Sequence, residues 1–472
     1  MQKTKMIFTI GPSSFSEEIL KEFILLGMSA ARLNFSHGNY ESHLKTINTI
    51  KKLRKELNSP TAILLDIKGP KIRTHNFKDD SAILQKGQKF SFRCDKEILG
   101  DNTGCSISYT ELYKDVFPGG TILVDDGLLE FTIDSVENKI IHCTVVNGGI
   151  IKNHKGVNVP YVKIGLPPLT EKDKEDLIFG CAQEVDYVAA SFIRKGSDME
   201  EVRAILDSNG GRDIKTIAKI ETQEGVDNID EILSVADGIM VARGDMGVEI
   251  PIEKVPLIQK SIIKKCNQAG KIVITATQML DSMIKNSRPT RAEATDICNA
   301  VFDGTDAVML SGESASGDYP LEAASTMARI AQETENHLDY EVFLNRLKDL
   351  HLMSFADAIS YSTVQTSNKL TVKAIVAATQ SGSTAKLISK YKPSCPIIAI
   401  TPSEKVLRTL NLHFGIFPVL TPDFSNVEEV IPLAKSIAIE NDIAVEGDSI
   451  IIAAGMPTAM VGGTNMFKLE KI

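Results

Sequence analysis

No stretch of this chain reaches the ~18 consecutive apolar residues that a membrane span requires. Its start, MQKTKMIFTIGPSS, holds only the short apolar run Met6–Ile10 before Gly-Pro, so no secretion signal is expected there. The seven cysteines are scattered from Cys94 to Cys395, and none forms a C-x-x-C pair. An odd, unpatterned set of this kind predicts reduced thiols and a cytoplasmic location. Positive charge is not in excess. The net charge is −9 with both signs interspersed, which argues against nucleic acid or an anionic membrane surface as a main partner. Also missing are a G-x-x-x-x-G-K-[ST] loop and the paired H-R-D and D-F-G motifs. Any nucleotide must therefore be held by another arrangement.

What is present is an ordinary globular composition, 43% apolar and 24% charged, over 472 residues. That length allows about three domains of about 150 residues each. Apolar runs at Met6–Ile10, Met28–Asn34 and Thr61–Ile67 read as buried strands, separated by helical stretches. The rhythm resumes with a helix near Glu171–Gln183. Strands are then expected at Asp186–Phe192, Lys215–Ile220, Gly238–Ala242, Lys271–Thr277 and Ala307–Ser311. Eight such strands alternating with helices predict a (β/α)8 TIM barrel in an α/β protein.

Between the third strand and the rest, residues 69–166 change character. Runs such as KFSFRC, TILVDD, LEFTI and KIIHCTVV are short strands joined by Asp-Asp-Gly, Glu-Asn-Lys and Asn-Gly-Gly turns, without a long helical period. They predict an inserted all-β domain, hinged at Gly69-Pro70 and Gly165-Leu166-Pro167-Pro168. Residues 1–68 and 167–340 would form the barrel, with a polar, helical-looking connector running on to Leu352. Residues 341–472 would form a C-terminal α/β domain, with strands near 373–379, 396–401, 415–420, 449–454 and 466–469. After its first strand, Thr379, Gln380, Ser381, Gly382, Ser383 and Thr384 precede a helix. Such a turn can cradle a phosphate or serve as a plain helix cap, and the residues alone leave both open.

The chemistry is concentrated in TIAKIETQEGVDNIDEILSVADGIMVARGD, Thr216 to Asp245. It reads as a strand, a short helix and a second strand. Lys219 and Glu221 are two residues apart, so strand alternation puts them on one face. Arg243, Gly244 and Asp245 follow the next strand, where Gly244 lets a ligand approach the backbone. Charged residues in apolar strands are costly unless they serve a purpose. Glu221 and Asp245 offer the hard oxygen ligands that Mg²⁺ takes, and Lys219 can neutralise charge on a transferring group. Arg32 can grip a phosphate or carboxylate bidentately, or simply form a strand-end salt bridge. Arg32, Asn34, Asp66, Ser191, Thr277, Ser311 and Glu313 also fall at or just past C-terminal strand ends, the face where barrels keep their active sites. Cation, arginine and divalent metal are the parts that phosphoryl transfer needs.

The segments FTIGPSS, ARLNFSHG, LLDIKGPKIRT, KGVNVP, IAKIET, VARGDMGVE, TATQML, RPTRAEATDICNAVFDGTDAVMLSGESASGDYPLEA and YKPSCPIIAIT resemble pyruvate kinases, in the family's order and across nearly the whole chain. The resemblance implies a barrel, a β lid and a C-terminal regulatory domain, assembled as a homotetramer. It implies phosphoryl transfer from phosphoenolpyruvate to ADP, giving pyruvate and ATP in the last step of glycolysis. By motif, Lys219 would stabilise the transferring phosphoryl group and Arg32 would hold the substrate phosphate. Glu221 and Asp245 would ligate Mg²⁺, Gly244 and Asp245 would receive the substrate carboxylate, and Thr277 would face the enolate. Asn34, Ser36, His37, Arg73 and Lys155 match nucleotide-binding positions. Asn34, Ser36, Asp66 and the Ile67 carbonyl match a monovalent-cation site.

Two departures from the family pattern matter. Potassium-dependent members carry a D-T-K-G-P-E motif, where this chain reads Asp66-Ile67-Lys68-Gly69-Pro70-Lys71. A tethered Lys71 ammonium near the monovalent site could replace K⁺, so little or no K⁺ requirement is expected. Thr379, Ser381, Gly382, Ser383 and Thr384 match a sugar-phosphate effector loop, yet Gln380 replaces the lysine of fructose bisphosphate responders. The last loop, Gly455–Asn465, also lacks their Trp and Arg. A sugar phosphate, a nucleotide or no effector at all would fit. The rival readings are a Mg²⁺-dependent lyase on the same barrel and a silent metabolite sensor. The β insert with Arg73 and Lys155 counts against the lyase, and the complete set of barrel-mouth residues counts against the sensor.

Overall fold

The computed structural model describes residues 1–347, 354–424, 426–455 and 463–472. Eight parallel strands close into a barrel: Lys5–Thr9, Met28–Asn34, Ala62–Ile67, Tyr187–Ala190, Lys215–Ile220, Gly238–Ala242, Ile272–Ala276 and Ala307–Leu310. Each pairs with its neighbours in sequence, and the eighth closes on the first with Lys5 opposite Ala307. The strands expected from apolar runs are all present, several of them one to three residues shorter. Side chains alternate between two apolar environments. One set, including Ile7, Ala30, Leu64, Ala189 and Ile217, fills the barrel interior, while Phe8, Ala31, Leu65 and Val188 pack against the helices. Burial on both faces explains why these strands read as continuous apolar runs.

Between the third and fourth barrel strands lies the β insert, a six-stranded sheet beside a two-stranded one. The strands Lys89–Arg93, Thr121–Val124, Leu129–Glu137 and Ile140–Asn147 carry the four runs legible in the sequence. Phe90, Phe92 and Phe131 meet in tilted and edge-to-face contacts within its core. Asn138 and Lys139 both have positive φ (50° and 62°), the geometry of a tight hairpin turn. The insert is not purely β, because Leu112–Asp115 forms one helical turn. The strands Ser81–Leu84, Gly104–Ser106, Gly149–Lys152 and Val157–Asn158 are too short to stand out in the sequence.

The C-terminal unit is a five-stranded sheet, parallel except for the antiparallel edge strand Met466–Lys471. It docks under the N-terminal end of the barrel. Leu412 joins the barrel-interior cluster from below, Arg408 pairs with Asp186 at 2.6 Å, and Asn411 donates to the Ser29 carbonyl at 3.1 Å. The opposite, C-terminal mouth of the barrel is left to the lid. In the connector expected to run to Leu352, Tyr340–Arg346 is a helix, and residues 348–353 lie outside the described residues.

Candidate active site

The site grows from the interior register of the barrel. Two residues beyond Ile7, Ala30, Leu64, Ala189 and Ile217, the next inward positions are Thr9, Arg32, Asp66, Ser191 and Lys219. The top layer of the barrel core is therefore polar, and its members bond to one another. Asp66 lies at the centre. Arg32 Nε donates to Asp66 Oδ2 at 2.6 Å, and Arg32 Nη1 donates to Thr9 Oγ1 at 2.9 Å. Lys219 Nζ reaches Asp66 Oδ1 at 3.2 Å, Ser191 Oγ at 2.7 Å and Glu221 Oε1 at 3.2 Å.

Electrostatics follow from this arrangement. Burial works against ionisation of Asp66, but Arg32 and Lys219 beside it hold the carboxyl below its usual range. Burial likewise opposes the Lys219 ammonium, and Asp66 and Glu221 more than compensate, so it remains protonated at neutral pH. Glu221 moves the other way. Burial raises its pKa, Lys219 pulls it down and Asp245 pushes it up again. Glu221 Oε2 accepts the Phe192 N–H at 2.7 Å, which fixes this carboxylate at the barrel mouth. Asp245 Oδ1 takes the Lys71 ammonium at 2.8 Å. Two acidic oxygens balanced only by lysines make a donor set that suits a divalent cation, with remaining positions free for water and substrate.

Arg243–Glu249 forms a short helix directly after the sixth strand, so Gly244 and Asp245 stand in its first turn. Between the fifth and sixth strands there are two short helices, Gln223–Asp227 and Ile229–Val235, in place of the one expected. The Gly244 N–H at the start of Arg243–Glu249 donates to Thr277 Oγ1 at 2.7 Å. Thr277 itself has φ +67°, followed by Gln278 at +54°. A β-branched residue in the left-handed region is strained, and such strain clusters where geometry serves function. Arg243 holds this conformation by donating to the Ala276 carbonyl at 3.1 Å and the Thr277 carbonyl at 2.6 Å. Its other arm pairs with Asp296 at 2.6 Å. Neither the helix nor the Arg243 clamp was legible in the sequence, since both depend on a contact between different strand ends.

Asn34 and Asp66 stand opposite each other in register, and Asn34 Oδ1 accepts the Ser36 N–H at 3.1 Å. The Ile67 carbonyl accepts the Ser191 hydroxyl at 2.7 Å. His37 is exposed, and its carbonyl lies 2.9 Å from His43 Nε2. Lys71 does not stand with this group. Its ion pairs among the described residues are with Asp245 and, at 3.7 Å, Asp126. Arg73 and Lys155 come together on the two edges of the lid, which pair through an Arg73–Gly156 bridge. Arg73 donates to the His154 carbonyl at 2.8 Å, and Lys155 pairs with Asp125 at 2.9 Å. Glu313 lies just past the end of the eighth strand, as expected, and ties loops there by accepting the Leu280 and Ser311 N–H groups.

In the C-terminal unit, the loop Thr379–Thr384 ends at Gly382, the N-cap of the helix Ser383–Lys390, with φ +85°. Among the described residues no side chain caps that helix, so the plain side-chain-cap reading does not hold there. Thr384 Oγ1 instead meets Thr464 Oγ1 at 2.8 Å, and Gln380 donates to Asp423 at 2.8 Å. Most of the last loop, residues 456–462, lies outside the described residues.

Comparison with known proteins agrees with this geometry. Residues 1–324 match the family described as "Pyruvate kinase, barrel domain", and residues 357–470 match "Pyruvate kinase, alpha/beta domain". Pyruvate kinases of Clostridium perfringens and Clostridium acetobutylicum are 68% and 56% identical to this chain, each over the full length of both proteins. The crystal structure of a pyruvate kinase from Cryptosporidium parvum superposes with a TM-score of 0.95 at 41% identity, covering 100% of this chain and 96% of that one. With both family regions, full-length relatives and a barrel mouth whose charged layer is built from IAKIET, LLDIKGP and VARGD, the chain belongs to the pyruvate kinase family of phosphotransferases.

Proposed function

We propose that this enzyme transfers the phosphoryl group of phosphoenolpyruvate to ADP at the mouth of the barrel, releasing pyruvate and ATP. The observation that carries the reading is the linked layer Arg32–Asp66–Lys219–Glu221, two cations and two carboxylates held by one another at 2.6–3.2 Å. Phosphoryl transfer requires little covalent help from a protein and much positioning of charge. Lys219, kept protonated, meets the charge on the transferring group. Arg32, its orientation fixed by Asp66 and Thr9, holds the phosphate. Gly244 and Asp245 receive the substrate carboxylate at the start of the Arg243–Glu249 helix. Thr277 presents its hydroxyl to the enolate carbon. Its proton, now directed at the Ala276 carbonyl at 2.6 Å, reaches the substrate by rotation of the hydroxyl and relay from water.

Glu221 and Asp245 would hold Mg²⁺, which when bound neutralises substrate charge at the reacting phosphate. Asn34, Ser36, His37, Arg73 and Lys155 would hold the nucleotide, the last two arriving with the lid as it excludes water. Asn34, Ser36, Asp66 and the Ile67 carbonyl would form the monovalent site. Lys71 supports a reduced K⁺ requirement in a modified way. Its ammonium faces Asp245, so it adds fixed positive charge beside the metal carboxylates and not at the Asn34 group. The boundaries 1–68 with 167–340, 69–166 and 341–472 are our division into barrel, lid and C-terminal domain. Within the last, the Thr379–Thr384 loop is our candidate for a sugar-phosphate or nucleotide effector. Cytoplasmic residence and a homotetramer complete the proposal. Of the described helices, none is long and apolar enough to cross a membrane.

A lactate-dehydrogenase-coupled assay tests the K⁺ part. We expect wild-type turnover that K⁺ barely changes, and Lys71→Glu turnover that depends on K⁺. Wild-type turnover only with K⁺ would keep the reaction and discard the role of Lys71. Titration with sugar phosphates and AMP should shift activity or Tm if the C-terminal loop is a site. No response to any of them would remove it.

A further inference from the structure

The outgoing and the returning segments of the lid next to the barrel are both tied to the same short helix. On the outgoing segment, Lys71 pairs with Asp245 at 2.8 Å. On the returning segment, Asn158 Nδ2 donates to Glu249 Oε1 at 2.7 Å. Asp245 and Glu249 are four residues apart on Arg243–Glu249, so they share a helix face. The two segments also hold each other, since the Val157 N–H donates to the Ile72 carbonyl at 2.9 Å. Asn158 is 4% exposed and lies in the two-residue strand Val157–Asn158, paired with Thr121–Val124 of the large lid sheet. A movement of Asn158 is thus a movement of that sheet.

We propose that the Asn158–Glu249 hydrogen bond is the pivot of the lid, a positioning pair that sets where Arg73 and Lys155 stand over the cleft. The inference rests on the reading that those two cations meet the diphosphate of the nucleotide. The two ties differ in kind. Lys71 holds a carboxylate that the proposed Mg²⁺ would claim, whereas Glu249 is not among the metal ligands. When the first tie is exchanged, the second remains. Asn158 and Glu249 line the same cleft, of about 190 Å³, as Lys71, Phe192 and Arg194. Burial raises the Glu249 pKa while the Asn158 amide and then Lys71 pull it down, as for a carboxylate held in place by its partner. Asn158 Oδ1 is buried and has no partner among the described residues, whereas the donor end of the side chain is held by Glu249. Lys155 is three residues before Asn158, and Arg73 bridges to Gly156, so the pivot acts over a short lever.

Reversal of the bond's polarity tests this at pH 8. Asn158→Asp places two carboxylates face to face, and should raise KM for ADP about tenfold while KM for phosphoenolpyruvate changes less than about twofold. The double variant Asn158→Asp with Glu249→Gln restores a donor opposite an acceptor, and should return KM for ADP to within about twofold of wild type. Glu249→Gln alone keeps the acceptor oxygen and should stay near wild type. Hydrogen exchange of residues 155–160 supplies a readout that needs no turnover: faster in Asn158→Asp, restored in the double variant. A double variant as impaired as Asn158→Asp by both measures overturns the pivot, as does an Asn158→Asp enzyme indistinguishable from wild type. If wild type turns over no phosphoenolpyruvate, the active-site reading fails, and exchange alone decides the hinge.

Discussion

At the scale of single residues, the proposed chemistry rests on side chains that hold one another ready. Lys219 is charged because Asp66 and Glu221 are near, and Arg32 points inward because Asp66 and Thr9 hold it. Lys219→Met should therefore lower kcat by about 10²–10³-fold, the usual loss when one preorganised charge is removed, as read in the coupled assay. Thr277→Ala should lower kcat far more than it raises KM for ADP, whereas Thr277→Ser keeps the hydroxyl and most of the rate; equal loss in both would contradict a role for that hydroxyl. Legibility in the sequence differed sharply among these residues. Lys219, Glu221 and Arg32 stood out because charge in an apolar strand is expensive. Asp66 was visible only as a strand-end acid, and its double ion pair could not be read because its partners lie 34 and 153 residues away. Thr277 on its own looked like an ordinary strand residue, since backbone strain leaves no compositional trace.

At the scale of elements, the loops at the barrel mouth are fixed by caps as much as by packing. The helix Arg291–Asp303 begins in a capping box, with Thr290 and Glu293 satisfying each other's backbone N–H groups. Glu293 also accepts from the Ser282 N–H at 2.7 Å and its hydroxyl at 2.6 Å, tying in the turn after Thr277. Although partial burial acts to raise its pKa, the Ser282 and Thr290 hydrogen bonds prevail and hold it below the ordinary glutamate range. Its folded-state pKa is depressed, so its contribution is complete above the unfolded glutamate pKa and is lost as pH falls through the folded value. Glu293→Ala should cost about 1–2 kcal/mol near pH 7 and less in acid, as read by urea unfolding at several pH values. Equal destabilisation at every pH would contradict the assignment. Barrel strands were legible because both faces are apolar. The lid's shorter strands were not, because two to four residues give too little alternation to distinguish a strand from a turn.

At the scale of the whole molecule, the C-terminal sheet docks beneath the same barrel whose upper rim carries the proposed site. One contact there is expensive. Lys5, 4% exposed on the first barrel strand, donates to the Ile416 carbonyl and lies 4.4 Å from the Phe417 ring centre. Burial lowers its pKa to about 7, with Glu335 only partly restoring it. The unfolded chain binds more protons than the folded one between pH ~7 and the ordinary lysine value, so this residue makes stability rise with pH across that window. Lys5→Met should stabilise the protein by about 1–3 kcal/mol at pH 7 and flatten the rise in Tm from pH 7 to 10. An unchanged slope would show that Lys5 does not report on this interface.

The central claim, phosphoryl transfer at the barrel mouth, is tested most directly by ³¹P NMR of the wild-type enzyme with phosphoenolpyruvate, ADP and Mg²⁺ in a Tris buffer free of K⁺. The account predicts that the phosphoenolpyruvate signal decays as the γ-phosphate signal of ATP grows at the same rate. Release of inorganic phosphate without ATP, or a persistent phosphoenolpyruvate signal both in this buffer and after K⁺ is added, would contradict it.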